Sequence, residues 1–420
     1  MVNSVTQTAV GFLLACLLAA HAEAFARSIL HSSRADARAQ RLKAAEDRRR
    51  GEPMDLLTVQ PVPFTLTCVE GDGCTAGMNV TRWGIKIAPQ NSPSQPYLLE
   101  WEEQGPRRVL LLAKQDPLIL PDVYEAVQHL WSKGLEVLVE GSLLPLLVQK
   151  FGQKVVDLGE LGLFDTANGR CGVDLIITFG GDGLLMHCNS LFDDAMPVPP
   201  IISFDFGSLG FLAPFLYSEF KEQIDSMFTK PTRITLRMRL ECTIVRHKDS
   251  KGAVEAGGKT THHVLNEVVI DRGMAPFLSL VDIKCNSQYL TTIQGDGVII
   301  ATPTGSTAYS LAAGGSMVHP SVPAILITPV CAHTLSIRPL ILPDVSTLEC
   351  SVPLDGRATG WVSFDGKFRQ ELDRGDSIII RTSQAPMPTV TKENFTGDWF
   401  GSLRETLNFN NRVRQGVKPE

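Results

Sequence analysis

Residues 174–191 read DLIITFGGDGLLMHCNSL, and the order of residue types in this stretch decides the fold class of the first half of the chain. The run DLIITF at 174–179 is typical of a strand in a parallel sheet that is buried on both faces. The turn GGDG at 180–183 follows at once, and a helix is predicted over 184–191. Ligands of α/β proteins bind at the carboxyl ends of such strands, so this turn is the first candidate site.

The same alternation of strand and helix extends to both sides of this stretch. Apolar runs predict strands at 109–113, 135–139 and 201–204, and helices are predicted at 121–131 and 143–150. Strands that alternate with helices indicate a right-handed α/β unit with a parallel sheet. We therefore assign residues 107–230 to a Rossmann-like, parallel α/β N-terminal domain.

The period of the apolar residues changes to two after Pro231. Ile234, Leu236, Met238 and Leu240 alternate with polar residues, as expected for an antiparallel strand. Further strands are predicted at 264–271, 280–284, 297–302, 324–328, 347–352, 361–364 and 377–381. Residues 231–376 are therefore predicted to form a second, mostly antiparallel β-sandwich domain.

Two segments precede the α/β domain. Residues 51–106 are rich in proline and have few periodic runs, which predicts a poorly structured lead-in with one short hairpin near 81–88. Residues 1–50 are predicted to be a targeting presequence. Their apolar run at 9–20 is shorter than the roughly 20 residues that a membrane span needs, and an arginine-rich tract follows it.

A signal peptide followed by a transit-like tract resembles a bipartite plastid presequence, which predicts a plastid location. The secretory pathway, an ER signal anchor and the cytoplasm are the alternatives. No stable membrane span is expected in the mature protein.

Composition and charge exclude several classes of protein. The 420 residues include 39 basic and 45 acidic side chains, so there is no overall positive field to hold nucleic acid. The nine cysteines include no pair at the two-residue spacing of zinc or redox motifs, which indicates reduced thiols. His262 and His263 are adjacent but lack an H-E-x-x-H frame, so no residue is assigned to a metal site.

The GGDG turn has the chemistry of a phosphate site. Gly180, Gly181 and Gly183 let a phosphate approach the backbone, and the helix start supplies N–H groups and a positive dipole. A carboxylate at Asp182 would repel phosphate unless it accepts a proton from an attacking hydroxyl or binds through magnesium. The alternative is a strand-to-helix turn with Asp182 as its N-cap. No Walker, dinucleotide-fold or protein-kinase motif accompanies it.

The segment TPTGSTAY, residues 302–309, is a second candidate. Thr304, Ser306 and Thr307 offer hydroxyls and backbone donors to an anion around Gly305, and Tyr309 offers a stacking face to a base or ribose. The alternative is a solvated turn that Thr307 caps.

Asn266 and Glu267 interrupt the apolar stretch VLNEVVID at 264–271. Buried polar groups without partners cost free energy, so this pair either faces ligand hydroxyls or points outward at a strand edge. The segment GSLGF, residues 207–211, is a further candidate loop, with a simple turn as the alternative.

Together these segments resemble the NAD kinase family, whose members phosphorylate NAD to NADP. The resemblance is carried by ITFGGDG (177–183), GSLGFL (207–212), VLNEVVIDRG (264–273), QGDGVIIATPTGSTAYSLAAGG (294–315), VPAILITPVCAHTLSIRPLILP (322–343) and WVSFDG (361–366). GGDG alone also occurs in lipid kinases and phosphofructokinases, whereas the long TPTGSTAY segment is specific.

The resemblance implies a nucleotide cleft between the α/β and β domains, and a last segment, 377–410, that returns to the first domain. It implies that Asp182 is the base or orienter for the 2′-hydroxyl of the adenosine ribose, and that Gly180, Gly181 and Gly183 lie at the ATP phosphates. The residues implied to hold NAD are Asp182, Gly183, Asn266, Glu267, Asp296, Thr307, Ala308, Tyr309 and Ser310. ATP with Mg²⁺ or another divalent cation is the implied donor, and a homodimer or homotetramer is the implied assembly.

Two positions depart from the family pattern. Leu184 stands where a threonine usually follows GGDG, and Lys367 follows FDG where bacterial members tend to carry glutamine. Because Asp182 is present, activity is nevertheless expected. The alternatives are an NADH-preferring kinase, a GGDG lipid kinase and a catalytically silent NAD(P)-binding protein.

Overall fold

The computed structural model describes residues 64–68, 80–81, 84–85, 96–101, 105–152, 162–164, 172–192, 197–207, 210–247, 261–392 and 395–410. The presequence predicted at 1–50 lies outside the described residues, as do Ser208 and Leu209 of the GSLGF segment. No helix within the described ranges is long and apolar enough to cross a lipid bilayer.

The described strands are β1 (Phe64–Cys68), β2 (Val80–Thr81), β3 (Gly84–Ile85), β4 (Pro96–Trp101), β5 (Arg108–Ala113), β6 (Glu136–Glu140), β7 (Gly162–Phe164), β8 (Leu175–Phe179), β9 (Ile201–Asp205), β10 (Phe215–Leu216), β11 (Thr232–Arg237), β12 (Leu240–Val245), β13 (Thr261–Val264), β14 (Glu267–Asp271), β15 (Ser279–Cys285), β16 (Gln288–Gly295), β17 (Gly297–Ala301), β18 (Ala324–Val330), β19 (Leu340–Pro343), β20 (Leu348–Ser351), β21 (Gly360–Phe364), β22 (Lys367–Leu372), β23 (Ser377–Thr382) and β24 (Met387–Val390). The described α-helices are α1 (Leu120–Ser132), α2 (Leu143–Phe151), α3 (Asp182–Leu191), α4 (Phe220–Thr229), α5 (Tyr309–Ala312) and α6 (Phe395–Leu407).

The first domain is built on a ten-stranded sheet. Its strand order is β1-β4-β11-β24-β9-β8-β5-β6-β7, with β10 beside β9, and the part from β24 to β7 is parallel. Apolar side chains are buried on both faces, since Leu111 and Phe179 pack in the core that contains α1 and α4, whereas Leu110 and Ile176 pack in the core that contains α3. This confirms the predicted parallel α/β domain. It also places the GGDG turn at the carboxyl end of β8.

The sheet includes strands from outside the predicted bounds of the first domain, 107–230. β1 and β4 come from segment 51–106, for which the sequence predicts little structure. β11 pairs antiparallel with β4 and β24, so it belongs to the first sheet. The prediction that it is part of the second domain was wrong. β23 stays in the second domain, and the chain returns to the first sheet only with β24. An alternating apolar pattern indicates an antiparallel strand, but it does not indicate which sheet that strand joins.

The second domain consists of two six-stranded antiparallel sheets. Their orders are β13-β12-β23-β20-β15-β16 and β19-β18-β17-β14-β21-β22. Inward-facing side chains from both sheets, such as Ile244 and Ile283 from one and Val268 and Ile300 from the other, form a single core. The predicted antiparallel β-sandwich is therefore confirmed.

The strand predicted at 264–271 is divided in the structure. β13 ends at Val264 in one sheet, and β14 begins at Glu267 in the other. Leu265, between them, is fully buried in the core of the first domain, beside α3. The chain therefore crosses between the two sheets at the domain boundary, and this crossing brings Asn266 and Glu267 next to the first domain.

Candidate active site

The Asp182 carboxylate of the GGDG turn is held in place by backbone N–H groups of a neighbouring loop. Asp182 is the first residue of α3, and its two carboxylate oxygens accept hydrogen bonds from the N–H groups of Phe211 and Leu212, at 2.9 Å each. A side chain at Gly210 would overlap this carboxylate, so only glycine fits there. The described part of the GSLGF segment is therefore the partner of the GGDG turn and more than a simple connection.

Asp205 is a second carboxylate at the same edge of the sheet. It is the last residue of β9, and its Oδ1 accepts a 2.9 Å hydrogen bond from the N–H of Gly207. A side chain at Gly181 would lie 2.9 Å from Asp205 Oδ2, which shows how closely this carboxylate approaches the turn. Asp205 was not among the site residues predicted from the sequence, although its position directly after a predicted buried strand indicates a ligand-binding edge.

Asp365 organises the segment that carries Asn266 and Glu267. It lies in the turn after β21 with a φ of 47°, and its carboxylate accepts hydrogen bonds from the N–H groups of Leu265, Asn266 and Glu267, at 2.8, 2.8 and 3.1 Å. Burial raises the pKa of Asp365 to about 6, in spite of these hydrogen bonds. This aspartate lies in the WVSFDG segment, for which no site role was predicted from the sequence.

Glu267 is the buried acid of the site. It is 8% exposed, and its Oε2 has no hydrogen-bond partner within the described part of the chain. Burial, reinforced by the charge of Asp365, raises its pKa to about 7, although the backbone N–H of Tyr309 donates to it. A buried acceptor that is left unsatisfied is costly, so a ligand hydroxyl at this carboxyl group would be stabilising.

The TPTGSTAY segment packs directly on the Asn266 backbone. Residues Thr304–Thr307 form a 3₁₀ helix, and a side chain at Gly305 would overlap the Asn266 carbonyl oxygen. The same carbonyl accepts a 2.9 Å hydrogen bond from the N–H of Thr302. Glycine at 305 therefore allows the close approach that joins the two candidate segments.

Most hydroxyls of this segment hold the loop together. Ser306 Oγ bonds both the N–H and the carbonyl of Val318, and fully buried Ser310 pairs with Thr328 at 2.8 Å. Thr307 and Ala308 are half-buried, and Tyr309 is 45% exposed. Of the four residues predicted here for NAD, three thus retain accessible surface, whereas Ser310 is an internal support.

The structure does not bring Asp296 to the other candidate residues. β14 and β17 run antiparallel with Glu267 opposite Ala301 and Asp271 opposite Gly297, so Asp296 lies at the far end of this strand pair. There Asp296 accepts a 2.7 Å hydrogen bond from Arg272 Nε.

The two departures from the family pattern have local explanations. Leu184 is half-buried and packs against the apolar core beside α3, and its side chain lies next to Gly180. Lys367 Nζ contacts Ser190 Oγ at 3.3 Å, near the last turn of α3. Neither side chain disturbs the hydrogen bonds of Asp182.

The described residues contain no cluster of three or more histidine, cysteine or acidic side chains that could enclose a metal ion. Such a cluster is not needed for Mg²⁺, which phosphate-transferring enzymes commonly hold through one or two carboxylates and the substrate phosphates. Asp205, beside the glycines of the GGDG turn, fits this requirement.

Two family models match the chain. Residues 109–231 match the ATP-NAD kinase N-terminal domain, and residues 265–392 match the ATP-NAD kinase C-terminal domain. The chain is 43% identical over 350 residues to "NAD kinase 2, chloroplastic" of Arabidopsis thaliana, which covers 81% of this chain and 34% of that protein. It is 48% identical over 249 residues to "ATP-NADH kinase YEF1" of Saccharomyces cerevisiae, covering 58% of this chain and 50% of that protein. The chain thus spans between a third and a half of the length of these relatives.

Solved structures show the same architecture. Yeast NADH kinase complexed with NADH superposes with a TM-score of 0.67 at 32% identity, covering 79% of this chain and 95% of the other. An NAD kinase from Archaeoglobus fulgidus in complex with ATP has a TM-score of 0.51 at 20% identity, covering 71% and 99%, and supports the fold alone. The two family models match residues in both domains and together cover more than half of the chain, and the fold agrees with them: the chain belongs to the ATP-NAD kinase family.

Proposed function

We propose that the chain is an NAD kinase, which transfers the γ-phosphoryl group of ATP to the 2′-hydroxyl of the adenosine ribose of NAD. The observation that carries the proposal is the fixed carboxylate of Asp182 at the amino end of α3. In the reaction the 2′-oxygen forms a bond to the γ-phosphorus, the bond from that phosphorus to the bridging oxygen breaks, and ADP leaves. The hydroxyl proton passes to Asp182.

Each part of the proposed site has one task. The amino end of α3, with Gly181 and Gly183, offers N–H groups and a positive dipole to the phosphates of ATP. Mg²⁺, which would neutralise charge on the transferred group, would be held by Asp205 and the phosphates. Glu267 and Asn266 would hold NAD hydroxyls, and Tyr309 would offer its ring to a base. Phosphoryl transfer depends mainly on positioning and charge neutralisation, so a single base is sufficient.

NADH is a second candidate acceptor. It is favoured by the 48% identity to a relative named an ATP-NADH kinase and by the likeness to the yeast NADH kinase structure. A GGDG lipid kinase is not favoured, because the two family models together cover both domains of this chain.

A plastid location and a homo-oligomeric assembly are further parts of the proposal. Two relatives at 43% identity are named chloroplastic, which supports the plastid location predicted from the presequence. We also propose a homo-oligomer, as the family resemblance implies; size-exclusion chromatography with light scattering tests this.

Turnover of the purified chain with Mg²⁺-ATP tests the proposed function. NAD and NADH are supplied in separate reactions, and NADP is measured with an NADP-specific dehydrogenase after any NADPH has been oxidised. Formation of NADP from NAD supports the main proposal, and product from NADH alone moves it to the second candidate. Saturable binding of NAD without any product would overturn both and identify a silent member of the family.

A further inference from the structure

A buried arginine lies directly behind the loop that holds Asp182. Arg237 is the last residue of β11 and is 7% exposed. Its Nε donates a 3.0 Å hydrogen bond to Thr389 Oγ1 on the neighbouring β24, and its guanidinium also contacts the carbonyl oxygen of Phe211 at 3.4 Å. The peptide units of residue 211 therefore face two ways: the N–H donates to Asp182, and the carbonyl accepts from Arg237.

The charge of Arg237 is shared between two carboxylates. It interacts electrostatically with Asp182 and with Asp398, in the first turn of α6. Burial lowers the pKa of Arg237 to about 10, and the two carboxylates oppose that shift. Burying a guanidinium is expensive, and an apolar side chain would serve packing alone at least as well. A buried cation that makes hydrogen bonds to Thr389 and Phe211 and whose charge acts on both acids therefore points to a role other than packing.

The last helix supports the same loop from a second direction. Ser402 Oγ on α6 donates a 3.0 Å hydrogen bond to the carbonyl of Gly210. Trp399, also on α6, packs edge-on against His319 of the second domain, with ring centroids 5.0 Å apart. Residues 210–212 are thus fixed by β11, β24 and α6 together, and Asp182 is fixed by residues 211–212.

We propose that Arg237 is a positioning residue for phosphoryl transfer, which acts through the Phe211 peptide to hold the Asp182 carboxylate in its reactive orientation. This inference rests on the proposed kinase function. Arginine suits the task better than lysine, because its planar fork reaches the Thr389 hydroxyl and the Phe211 carbonyl at the same time. A base displaced by about 1 Å costs about 10²-fold in rate, whereas ground-state binding of NAD elsewhere in the cleft is little affected.

Three variants of the full chain test the inference. In Arg237→Met we expect kcat to fall about 100-fold while KM for NAD stays within about threefold. Arg237→Lys keeps the charge and should recover about tenfold of that loss. Thr389→Val removes the Nε acceptor, together with a 3.4 Å hydrogen bond from the same hydroxyl to the Thr235 carbonyl, and kcat should fall about threefold to tenfold. The matched control is Arg246→Met, which deletes a largely buried arginine that pairs with Asp376 in the second domain.

A second readout does not depend on turnover. Amide hydrogen exchange of the peptide that contains residues 210–212 should become about tenfold faster in Arg237→Met and stay unchanged in Arg246→Met. If wild type makes no NADP, the proposed function fails. The exchange difference would still show that Arg237 holds the loop at residues 210–212 in place. The inference is overturned if Arg237→Met and Arg246→Met lose the same kcat at the same loss of thermal stability. It is also overturned if amide exchange at residues 210–212 is unchanged in Arg237→Met. If Arg237→Met does not fold, wild-type kcat in Thr389→Val overturns it as well.

Discussion

Asn189 Nδ2 donates a 3.1 Å hydrogen bond to Asp365 Oδ2 across the boundary between the two domains. Asn189 is 2% exposed and lies on α3, the helix that begins at Asp182. Asp365 in turn binds the N–H groups of residues 265–267. One side chain therefore connects the helix of the candidate base to the segment that carries Glu267, and it sets the spacing of the two halves of the site.

Replacing Asn189 with alanine should weaken NAD binding more than it slows catalysis. The change leaves Asp365 and the guanidinium of Arg239, another partner of Asn189, with one hydrogen bond fewer. We expect a loss of about 1–3 kcal/mol in the free energy of unfolding and a rise of about threefold to tenfold in KM for NAD. Steady-state kinetics and urea unfolding measure both. The control is Ser190→Ala, at the neighbouring position of the same helix, which should leave KM for NAD within about twofold of wild type. An unchanged KM for NAD in Asn189→Ala would contradict the proposed connection between α3 and the segment that carries Glu267.

Replacing Glu267 with glutamine should change how stability depends on pH. Because the pKa of Glu267 is raised from 4.5 to about 7, the folded protein binds more protons than the unfolded chain between these values. The stability that the protonated group contributes is complete below the unfolded pKa and is lost as the pH rises through about 7. Glutamine does not titrate, so from about pH 4.5 to about pH 8 the variant should gain about 2–3 kcal/mol relative to wild type.

Urea unfolding at the two pH values measures this gain. The control is Glu349→Gln on β20, a half-buried glutamate that pairs with Lys284. Its gain over the same range should stay below about 0.5 kcal/mol. Parallel pH profiles of wild type and Glu267→Gln would show that Glu267 does not hold its proton in the folded protein.

The fold was largely predictable because its strands have distinct patterns. The runs at 109–113 and 175–179 are apolar except for Thr178, with no alternation of apolar and polar residues, and only a sheet covered on both sides accommodates them. The sequence was less informative about β11, whose alternation indicated its type but not its sheet. β1 and β4 were missed because proline-rich surroundings suppress the periodic signal of short strands.

The site was predictable where glycines force segments together, and less so where carboxylates act at long range. Gly210 and Gly305 lie in motifs that the sequence already marked, and each permits one close contact. Asp365 was missed because its partners lie 98 to 100 residues earlier, a relationship that no local pattern contains. Asp296 was grouped with Glu267 by motif, although the strand pair places them at opposite ends.

Replacing Gly210 with alanine should reduce activity severely. The added methyl group would overlap the Asp182 carboxylate, so either the carboxylate or the loop that donates to it must move. We expect kcat to fall about 100-fold or more, with a loss of about 1–3 kcal/mol in stability. Gly401→Ala is the control, because a side chain at that position on α6 meets no atom within 4 Å. It should be neutral or stabilising by about 0.5–1 kcal/mol, and activity of Gly210→Ala near that of wild type would show that the loop adapts.

Replacing Leu184 with threonine should improve the use of ATP and lower stability. The hydroxyl would lie in the first turn of α3, where donors and dipole favour phosphate, so KM for ATP should fall about twofold to fivefold. The lost contacts with the core beside α3 should cost about 1–2 kcal/mol. Leu184→Val has the shape of threonine without the hydroxyl, so it should lose less stability than Leu184→Thr and leave KM for ATP unchanged. Equal KM values in the two variants would show that no phosphate contact is missing in wild type.

Replacing Asp182 with asparagine should abolish nearly all turnover and leave NAD binding intact. The amide cannot accept the proton of the 2′-hydroxyl, so kcat should fall about 10³-fold or more, while NAD affinity should stay within about threefold. Asp174 provides a close control, because it lies directly before β8, the strand that leads to the GGDG turn. Its carboxylate also accepts hydrogen bonds from two successive backbone N–H groups, those of Arg107 and Arg108, at 2.8 Å each.

Asp174→Asn takes the charge out of the same kind of backbone hydrogen bonds as Asp182→Asn and so weakens them, but at the edge of the sheet opposite to the proposed site. If the two aspartates only fix the backbone, both variants should lose similar stability and similar activity. If Asp182 is the base, stability falls by about 1–3 kcal/mol in each, but turnover is lost only in Asp182→Asn. Turnover and urea unfolding of the two variants side by side distinguish these outcomes, since a purely structural role predicts that loss of activity follows loss of stability.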